Sequence, residues 1–231
     1  MHVVIIGATQ GLGLELVRKF LLEGNMVAAG VVDRITPASL QDLGDQYGDS
    51  LMVFQADVTN EPEILRGASL CSDFFGGKAD VLCNTAGVLL PGDRVNLLHQ
   101  CDVAELRRTF EVNAIGPIIV AKCFVPLLKQ GGRLFTVTSE GAGIKNCGTW
   151  VPAYVLSKAA ATKACGMLNM AVPDIDFYAV HPGRMNTEMG RATAQTEPQE
   201  SAEGIYRLMT GATPLDRERW YIDYMGREMD A

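Results

Sequence analysis

The chain has 231 residues, of which 48% are hydrophobic and 20% charged, and its formal net charge is −7. This length predicts one domain spanning residues 1–231, and the excess of acidic residues, without any basic block, argues against a nucleic-acid partner. The longest apolar stretch, near residues 114–121, falls short of the ~20 residues of a membrane span, and strand-like sequence from His2 onward, with no charged leader, predicts a cytoplasmic protein.

Short runs rich in β-branched residues alternate with longer amphipathic segments along the chain. This alternation is typical of an α/β fold with a doubly wound parallel sheet and helices on both faces. The predicted strands are Val3–Ile6, Met26–Val32, Leu51–Gln55, Val81–Cys83, Arg133–Thr138, Phe177–Val180 and Trp220–Tyr224. The predicted helices are Leu12–Glu23, Pro37–Gln46, Pro62–Phe75, Val103–Lys129, Pro152–Met170 and Gln199–Thr210. The polar stretch Thr187–Pro198 predicts a mobile loop or a short lid helix.

A glycine-rich turn, Gly7-Ala8-Thr9-Gln10-Gly11-Leu12-Gly13, joins the first predicted strand to the first helix. Glycines there let the backbone approach a pyrophosphate, which binds the free N–H groups at the helix start. An ordinary strand-to-helix turn is the alternative interpretation.

The end of the second predicted strand bears on the choice of dinucleotide. Asp33, twenty residues beyond Gly13, has the spacing of an acid that accepts hydrogen bonds from an adenosine ribose, which favours NAD. Arg34 beside it offers a positive charge to the 2′-phosphate of NADP, so NADP is the alternative. A third interpretation makes both residues part of a solvated turn.

Two further polar residues, Asn113 and Ser139, lie where a predicted helix is interrupted and where a predicted strand ends. Pro117 follows Asn113 by four residues inside the long predicted helix. Because proline has no N–H and its ring clashes with that carbonyl, we expect a kink there, with the Asn113 carbonyl free to hold a water. Ser139 follows a strand at the carboxyl edge, where open α/β sheets bind ligands. A structural kink and a capping serine are the alternatives.

Tyr154 and Lys158 lie four residues apart at the start of an alanine-rich helix, and therefore on one face. A neighbouring ammonium favours the phenolate, so we expect the pKa of Tyr154 to fall toward neutrality and the phenol to donate a proton to a carbonyl. An exposed Tyr/Lys pair is the alternative.

The cysteines have no spacing that predicts a metal site or a disulfide framework. None of them belongs to a CxxC motif or to a Cys/His cluster, and we expect reduced, mostly buried thiols. They are Cys71, Cys83, Cys101, Cys123, Cys147 and Cys165.

Taken in order along nearly the whole chain, these motifs resemble those of the short-chain dehydrogenase/reductase family. The family's glycine turn corresponds to Gly7, Gly11 and Gly13, its adenine-side Asp to Asp57 in Asp57-Val58, and its strand end to Asn84-Thr85-Ala86-Gly87. Its Pro-Gly turn corresponds to Pro182-Gly183, and its nicotinamide-side Thr to Thr187. Thr85 departs from the family's second Asn, which places that residue's hydrogen bonds in question. The tail from Trp220 to Glu228 and His181-Pro182-Gly183 are similar to the C-factor and sniffer-like carbonyl reductases.

The resemblance implies a Rossmann-type fold and an NAD(P)-dependent oxidoreductase that transfers a hydride between nicotinamide and a small carbonyl or alcohol substrate. Its catalytic residues would be Asn113, Ser139, Tyr154 and Lys158, with Tyr154 as the acid/base. Its cofactor site would comprise Gly7, Thr9, Gln10, Gly11, Leu12, Gly13, Asp33, Arg34, Asp57, Val58, Asn84, Ala86, Gly87, Tyr154, Lys158, Pro182, Gly183 and Thr187.

The resemblance also implies a homodimer or homotetramer, and it weighs on the dinucleotide, because the sniffer-like relatives generally prefer NADP. A catalytically silent dinucleotide-binding sensor is the alternative function. Such a sensor would show a broken set of catalytic residues beside an intact glycine turn, whereas all four positions are filled here.

Overall fold

The computed structural model describes residues 1–190 and 194–230, and its centre is one parallel sheet. Its strands are β1 His2–Ile6, β2 Met26–Val31, β3 Leu51–Gln55, β4 Ala79–Asn84, β5 Leu128–Val137, β6 Ile175–His181 and β7 Tyr221–Asp223. Their order across the sheet is β3-β2-β1-β4-β5-β6-β7. The chain therefore winds outward from β1 on one side and from β4 on the other, which confirms the predicted doubly wound α/β fold and places a crevice at the carboxyl ends of these two strands.

Helices cover both faces of the sheet, as predicted. They are α1 Gly11–Leu22, α2 Ala38–Tyr47, α3 Glu61–Phe75, α4 Val103–Phe110, α5 Gly116–Phe124, α6 Pro152–Ala171 and α7 Pro198–Thr210. Successive side chains of a strand point to opposite faces, so Val3 and Ile5 pack with α1, α2 and α7. Val4 and Ile6 pack with α3, α5 and α6 on the other face.

The single helix predicted over Val103–Lys129 is wrong in two places. A π-helical turn, Glu111–Ile115, interrupts it, and the Gly116 N–H donates to the Glu111 carbonyl five residues back. This turn contains Asn113 and directly precedes Gly116-Pro117, so the helix is irregular at the place where the sequence predicts a kink, and the irregularity is a π turn. Farther on, Pro126 lies in a 3₁₀ turn that ends the helix, and Leu128 already belongs to β5.

The helical stretch Val103–Leu127 is long and apolar enough, by length and composition alone, to cross a membrane. In this fold, however, 56% of its most apolar stretch of 18 residues is buried inside the molecule. Val120 and Phe124 belong to the core between α5 and the sheet. The stretch is therefore accounted for as a core helix.

The thiols follow the sequence expectation. Cys71, Cys83, Cys123 and Cys165 are buried, and all six cysteines are free. Burial raises the pKa of the Cys71, Cys83 and Cys165 thiols, which keeps them protonated at neutral pH.

Candidate active site

The glycine turn brings three elements closer together than any side chain would allow. Gly7 has a φ of +87°, and a Cβ on it would lie 2.7 Å from the Ala86 nitrogen at the end of β4. A Cβ on Gly13 would lie 2.2 Å from the Gly7 carbonyl oxygen. Glycine at both positions is therefore a steric requirement, and it sets α1 directly against the ends of β1 and β4.

The start of α1 is suited to an anion. Within the described part of the chain, no side chain caps this helix and its first turn holds no acidic residue. The first N–H groups and the positive end of the helix dipole are thus available to a phosphate. Because glycine also removes the steric barrier above the turn, the residues present fit the pyrophosphate of a dinucleotide.

A cleft of about 790 Å³ opens at this edge of the sheet. The predicted cofactor residues that line it are Gly7, Thr9, Gln10, Gly11, Leu12, Gly13, Asp33, Asp57, Val58, Ala86, Gly87, Tyr154, Lys158, Pro182 and Thr187. Of the described residues predicted for the site, Arg34, Asn84 and Gly183 lie outside the lining, as do Asn113 and Ser139. Sequence reasoning missed other lining residues, among them Ala56, Val88 and Arg108.

One end of the cleft is held by hydrogen bonds around two acids. The Thr9 hydroxyl donates to the Asp33 carboxylate at 2.8 Å, and the Gln55 amide donates to the Asp33 carbonyl at 2.7 Å. The Asp57 carboxylate accepts from both the backbone N–H and the hydroxyl of Thr59. These contacts hold Asp33 beside the glycine turn and order the loop after β3.

The end of β4 forms the floor between the two halves of the cleft. The Asn84 side chain is buried below this floor, where its oxygen accepts from the Ala86 N–H at 3.1 Å. The Thr85 hydroxyl lies 2.8 Å from the Ile6 carbonyl oxygen and 3.1 Å from that of Gly7. Thr85 therefore ties β4 to the glycine turn, which answers the question raised by its departure from the family's Asn.

Lys158 and Tyr154 lie at the other end of the cleft. The Lys158 ammonium is buried, donates to the Val137 carbonyl at 2.7 Å, and lies 5.7 Å from the centre of the Tyr154 ring. Burial lowers the pKa of Lys158 to about 8 and raises the pKa of Tyr154 to about 12, although the neighbouring Ser139 hydroxyl works in the opposite direction on Tyr154. The predicted fall of the Tyr154 pKa is therefore wrong in direction, because the cost of desolvating the phenolate dominates.

Asn113 joins the π turn to the loop after β4. Its buried amide donates to the Val88 carbonyl at 2.9 Å and to the Ser157 hydroxyl at 3.1 Å, and its oxygen accepts from the Val88 N–H at 2.8 Å. A Cβ on Gly87 would lie 3.1 Å from the Lys158 nitrogen and 3.3 Å from the Asn113 side-chain oxygen. Asn113 and Lys158 therefore meet across Gly87.

Ser139 follows β5 and caps the short 3₁₀ turn Glu140–Ala142, where its hydroxyl accepts from the Gly141 N–H at 3.3 Å. The capping interpretation of this serine is thus confirmed, and the same hydroxyl neighbours Tyr154. The structure brings the four predicted catalytic residues together from the π turn, the end of β5 and the start of α6.

Asp93, which sequence reasoning missed, fixes the start of α6. Its buried carboxylate accepts from the N–H groups of Ala153 and Tyr154, each at 2.8 Å. Val151, the residue before the helix, has a φ of +48° and no polar side chain with which to cap. A helix start without Ser, Thr, Asp or Asn was a sequence signal that the cap comes from elsewhere, but it does not say from where.

We expect Asp93→Ala to lower the free energy of unfolding by about 2–4 kcal/mol, because it leaves two buried N–H groups without a partner and removes a negative charge from a helix start. Urea unfolding measures the change. Asp102→Ala is the matched control, since the exposed Asp102 caps α4 through one hydrogen bond to the Ala104 N–H. Its expected cost is about 1 kcal/mol. Equal losses in the two variants would contradict the role given to Asp93.

The described residues of the predicted lid, 187–190 and 194–198, are called here the lid segment, and Thr187, Glu188, Met189 and Pro198 among them line the cleft. The methyl group of Thr187 would lie 3.7 Å from a Cβ on Gly11, and the Arg94 guanidinium donates to the Met189 carbonyl at 2.6 Å. Residues 187–190 form a turn, and Pro198 already begins α7. Residues 191–193 of the predicted lid lie outside the described residues.

Known proteins resemble this chain over most of its length. A family model described as short chain dehydrogenase matches residues 1–198. The short chain dehydrogenase gsfK of Penicillium aethiopicum is 29% identical over 98% of both chains. The C-signal protein of Myxococcus xanthus is 35% identical over 66% of this chain and 93% of its own.

A solved structure shows the same fold. It is an NADPH-bound carbonyl reductase from chicken fatty liver, which superposes with a TM-score of 0.86 at 22% identity, over 99% of this chain and 93% of its own. The family match covers most of the chain and includes the glycine turn and the residues gathered around Tyr154. The chain therefore belongs to the short-chain dehydrogenase family, as the motifs of its sequence predict, and is an NAD(P)-dependent oxidoreductase.

Proposed function

We propose that the protein transfers a hydride between the nicotinamide of NAD(P) and a carbonyl or alcohol substrate, with Tyr154 as the acid/base. The observation that carries the proposal is the cleft itself, which joins an uncapped helix start at one end to Tyr154 and Lys158 at the other. The bound dinucleotide supplies the hydride chemistry. The α1 N–H groups, Asp33 and Thr187 are the groups of this chain that would hold it.

The protonation states in the site suit a reductase. A Tyr154 pKa of about 12 keeps the phenol protonated at neutral pH, so it is ready to donate a proton to a carbonyl oxygen. In this proposal the Ser139 hydroxyl donates a hydrogen bond to that oxygen and Lys158 holds the nicotinamide ribose. The Asn113 carbonyl, which finds no N–H at Pro117 four residues later, holds the water that relays a proton to Lys158 in this proposal.

The lid segment covers the substrate in this proposal. Arg94 fixes the carbonyl of Met189, a residue of the cleft lining, so the position of the turn at 187–190 depends on a side chain from the loop after β4. This cover excludes water, and the absence of competing water strengthens the hydrogen bonds made to the reacting oxygen.

Reductase activity is tested by incubating the protein with NADH or NADPH and a panel of aldehydes, ketones and quinones. The expected result is loss of the nicotinamide absorbance with at least one substrate. Tight cofactor binding without turnover on any member of the panel, in either direction, would favour the silent sensor instead.

We also propose a preference for NAD, which rests on Asp33. Its carboxylate lies in the cleft lining and is bound to Thr9, where it would accept hydrogen bonds from a ribose diol and repel a 2′-phosphate. Arg34 lies outside the lining residues of the described chain. The NADPH is bound by the chicken enzyme and not by this chain, and it favours the alternative, a preference for NADP.

The expected ratio of kcat/KM for NADH over NADPH is above one in the wild type. In Asp33→Ala we expect it to fall about tenfold, which corresponds to ~1.4 kcal/mol of lost discrimination. Arg34→Ala is the matched control and should leave the ratio within twofold. A wild-type preference for NADPH that disappears in Arg34→Ala would reverse the assignment.

A further inference from the structure

The peptide group that joins Ser139 to Glu140 is hydrogen-bonded on both sides by side chains from other strands. Its oxygen, the Ser139 carbonyl, accepts from the Tyr221 hydroxyl at 2.7 Å. Its N–H, which belongs to Glu140, donates to Nδ1 of His181 at 3.1 Å. The family resemblance assigned no role to Tyr221 or to the His181 side chain.

The two partner side chains come from neighbouring strands of the sheet, β7 and β6. Tyr221 is 3% exposed and begins β7, and His181 ends β6, where it pairs in register with Asp223. Both hydrogen bonds end on one planar peptide unit, so a rotation of that unit breaks both at once. The orientation of this peptide sets ψ of Ser139 and φ of Glu140, and therefore the position of the Gly141 N–H, which donates to the Ser139 hydroxyl at 3.3 Å.

We propose that Tyr221 and His181 form a two-sided peptide clamp that fixes the Ser139–Glu140 peptide and so aims the Ser139 hydroxyl at the substrate oxygen. Both are positioning residues that act through Ser139. The catalytic part of this inference rests on the proposed function.

The His181 side of the peptide clamp depends on protonation. Nδ1 accepts a hydrogen bond only in the neutral ring with its proton on Nε2, because the imidazolium carries a proton on both nitrogens. Burial lowers the pKa of His181 from its ordinary value and Arg184 adds to this effect, whereas the carboxylates of Glu140 and Asp223 oppose it. Falling pH therefore breaks this hydrogen bond only below the ordinary pKa of 6.5, and the clamp is intact at neutral pH.

Kinetics of three variants test the positioning role. Tyr221→Phe keeps the buried ring and removes one donor, so we expect kcat to fall about tenfold with the dissociation constant of the cofactor within twofold. His181→Leu removes the acceptor and should have a similar effect. His181→Asn places an acceptor oxygen near the position of Nδ1 but does not titrate, so it should keep near wild-type kcat and lose the decline of activity at acidic pH. Tyr178→Phe, a buried tyrosine of β6 stacked on Phe135, is the matched control.

A second measurement is independent of turnover. NMR of uniformly ¹⁵N-labelled protein should show His181 as the neutral Nε2–H tautomer. In the same sample the Glu140 amide should be protected from hydrogen exchange, and in His181→Leu it should exchange about tenfold faster. The Nδ1–H tautomer, an unprotected Glu140 amide, or kcat within twofold of wild type in both Tyr221→Phe and His181→Leu would overturn the peptide clamp. Should the wild type bind cofactor but reduce nothing, the proposed function fails, and the tautomer and exchange rates still decide whether the clamp exists.

Discussion

Tyr154→Phe is expected to lower kcat by at least ~10²-fold, the scale of a lost general acid. The variant removes the hydroxyl that holds the transferred proton in the proposed function, and it leaves the ring, whose centre lies 5.7 Å from the Lys158 ammonium. The dissociation constant of the cofactor should therefore stay within a few-fold of wild type. Steady-state kinetics and a binding titration separate the two effects.

Tyr206→Phe is the control for this substitution. Tyr206 lies on α7, where its ring contacts Phe20 and the Lys19 ammonium, away from the cleft. Its loss of a hydroxyl should leave kcat unchanged. Retention of a tenth of the wild-type activity by Tyr154→Phe would remove Tyr154 from the role of acid/base.

Lys158→Met is expected to stabilise the protein while abolishing its activity. The ammonium is buried, and burial lowers its pKa from 10.5 to about 8. At pH 7 the lysine is charged in both states, and the charge has a higher free energy in the folded state than in the unfolded chain. Removing that charge should raise the free energy of unfolding at pH 7 by about 2 kcal/mol, after the lost hydrogen bond to the Val137 carbonyl is set against the gain. Turnover and cofactor affinity should both fall, because in the proposed function the ammonium holds the ribose and supports the proton path.

The pH dependence of this gain follows from the sign of the shift. Between pH 8 and 10.5 the unfolded chain binds more protons at this lysine than the folded protein does, so wild-type stability rises with pH across that window. The advantage of Lys158→Met should accordingly be full below pH 8 and vanish above pH 10.5. Urea unfolding at pH 7 and pH 10 measures it. Lys163→Met, on the exposed side of the same helix, should show no such gain at either pH.

The parts of the fold that depend on local sequence could be predicted. The runs of β-branched residues form strands, as their composition predicts. The glycine turn can be identified from the sequence because only glycine meets its φ angles and close contacts. The error at Leu128 has a local cause as well. Apolar residues continue without a break from α5 into β5, and hydrophobic periodicity does not separate a helix end from a buried strand start.

The parts of the site that depend on distant contacts could not be predicted. Asp93 reaches the start of α6 across about sixty residues, and Tyr221 reaches Ser139 across more than eighty. Neither residue carries a local pattern that names its partner. The pKa of Tyr154 was likewise out of reach, because spacing shows that a lysine is near but not how far both groups are removed from water.

The neighbouring positions of Asp93 and Arg94 have a mechanical consequence. One holds the first N–H groups of the helix that carries Tyr154, and the other holds the backbone of the lid segment at Met189. Asp93 and Arg94 are consecutive residues of one 3₁₀ turn and cannot move independently. A displacement of the lid segment at Met189 therefore also displaces the backbone that holds the start of α6, the helix that carries Tyr154. In the proposed function, where the lid segment covers the substrate, we expect its closure to favour the ordered helix start, and the ordered helix start to favour closure to the same degree. We therefore expect closure over a substrate and alignment of the Tyr154 phenol to be coupled through two consecutive residues, Asp93 and Arg94.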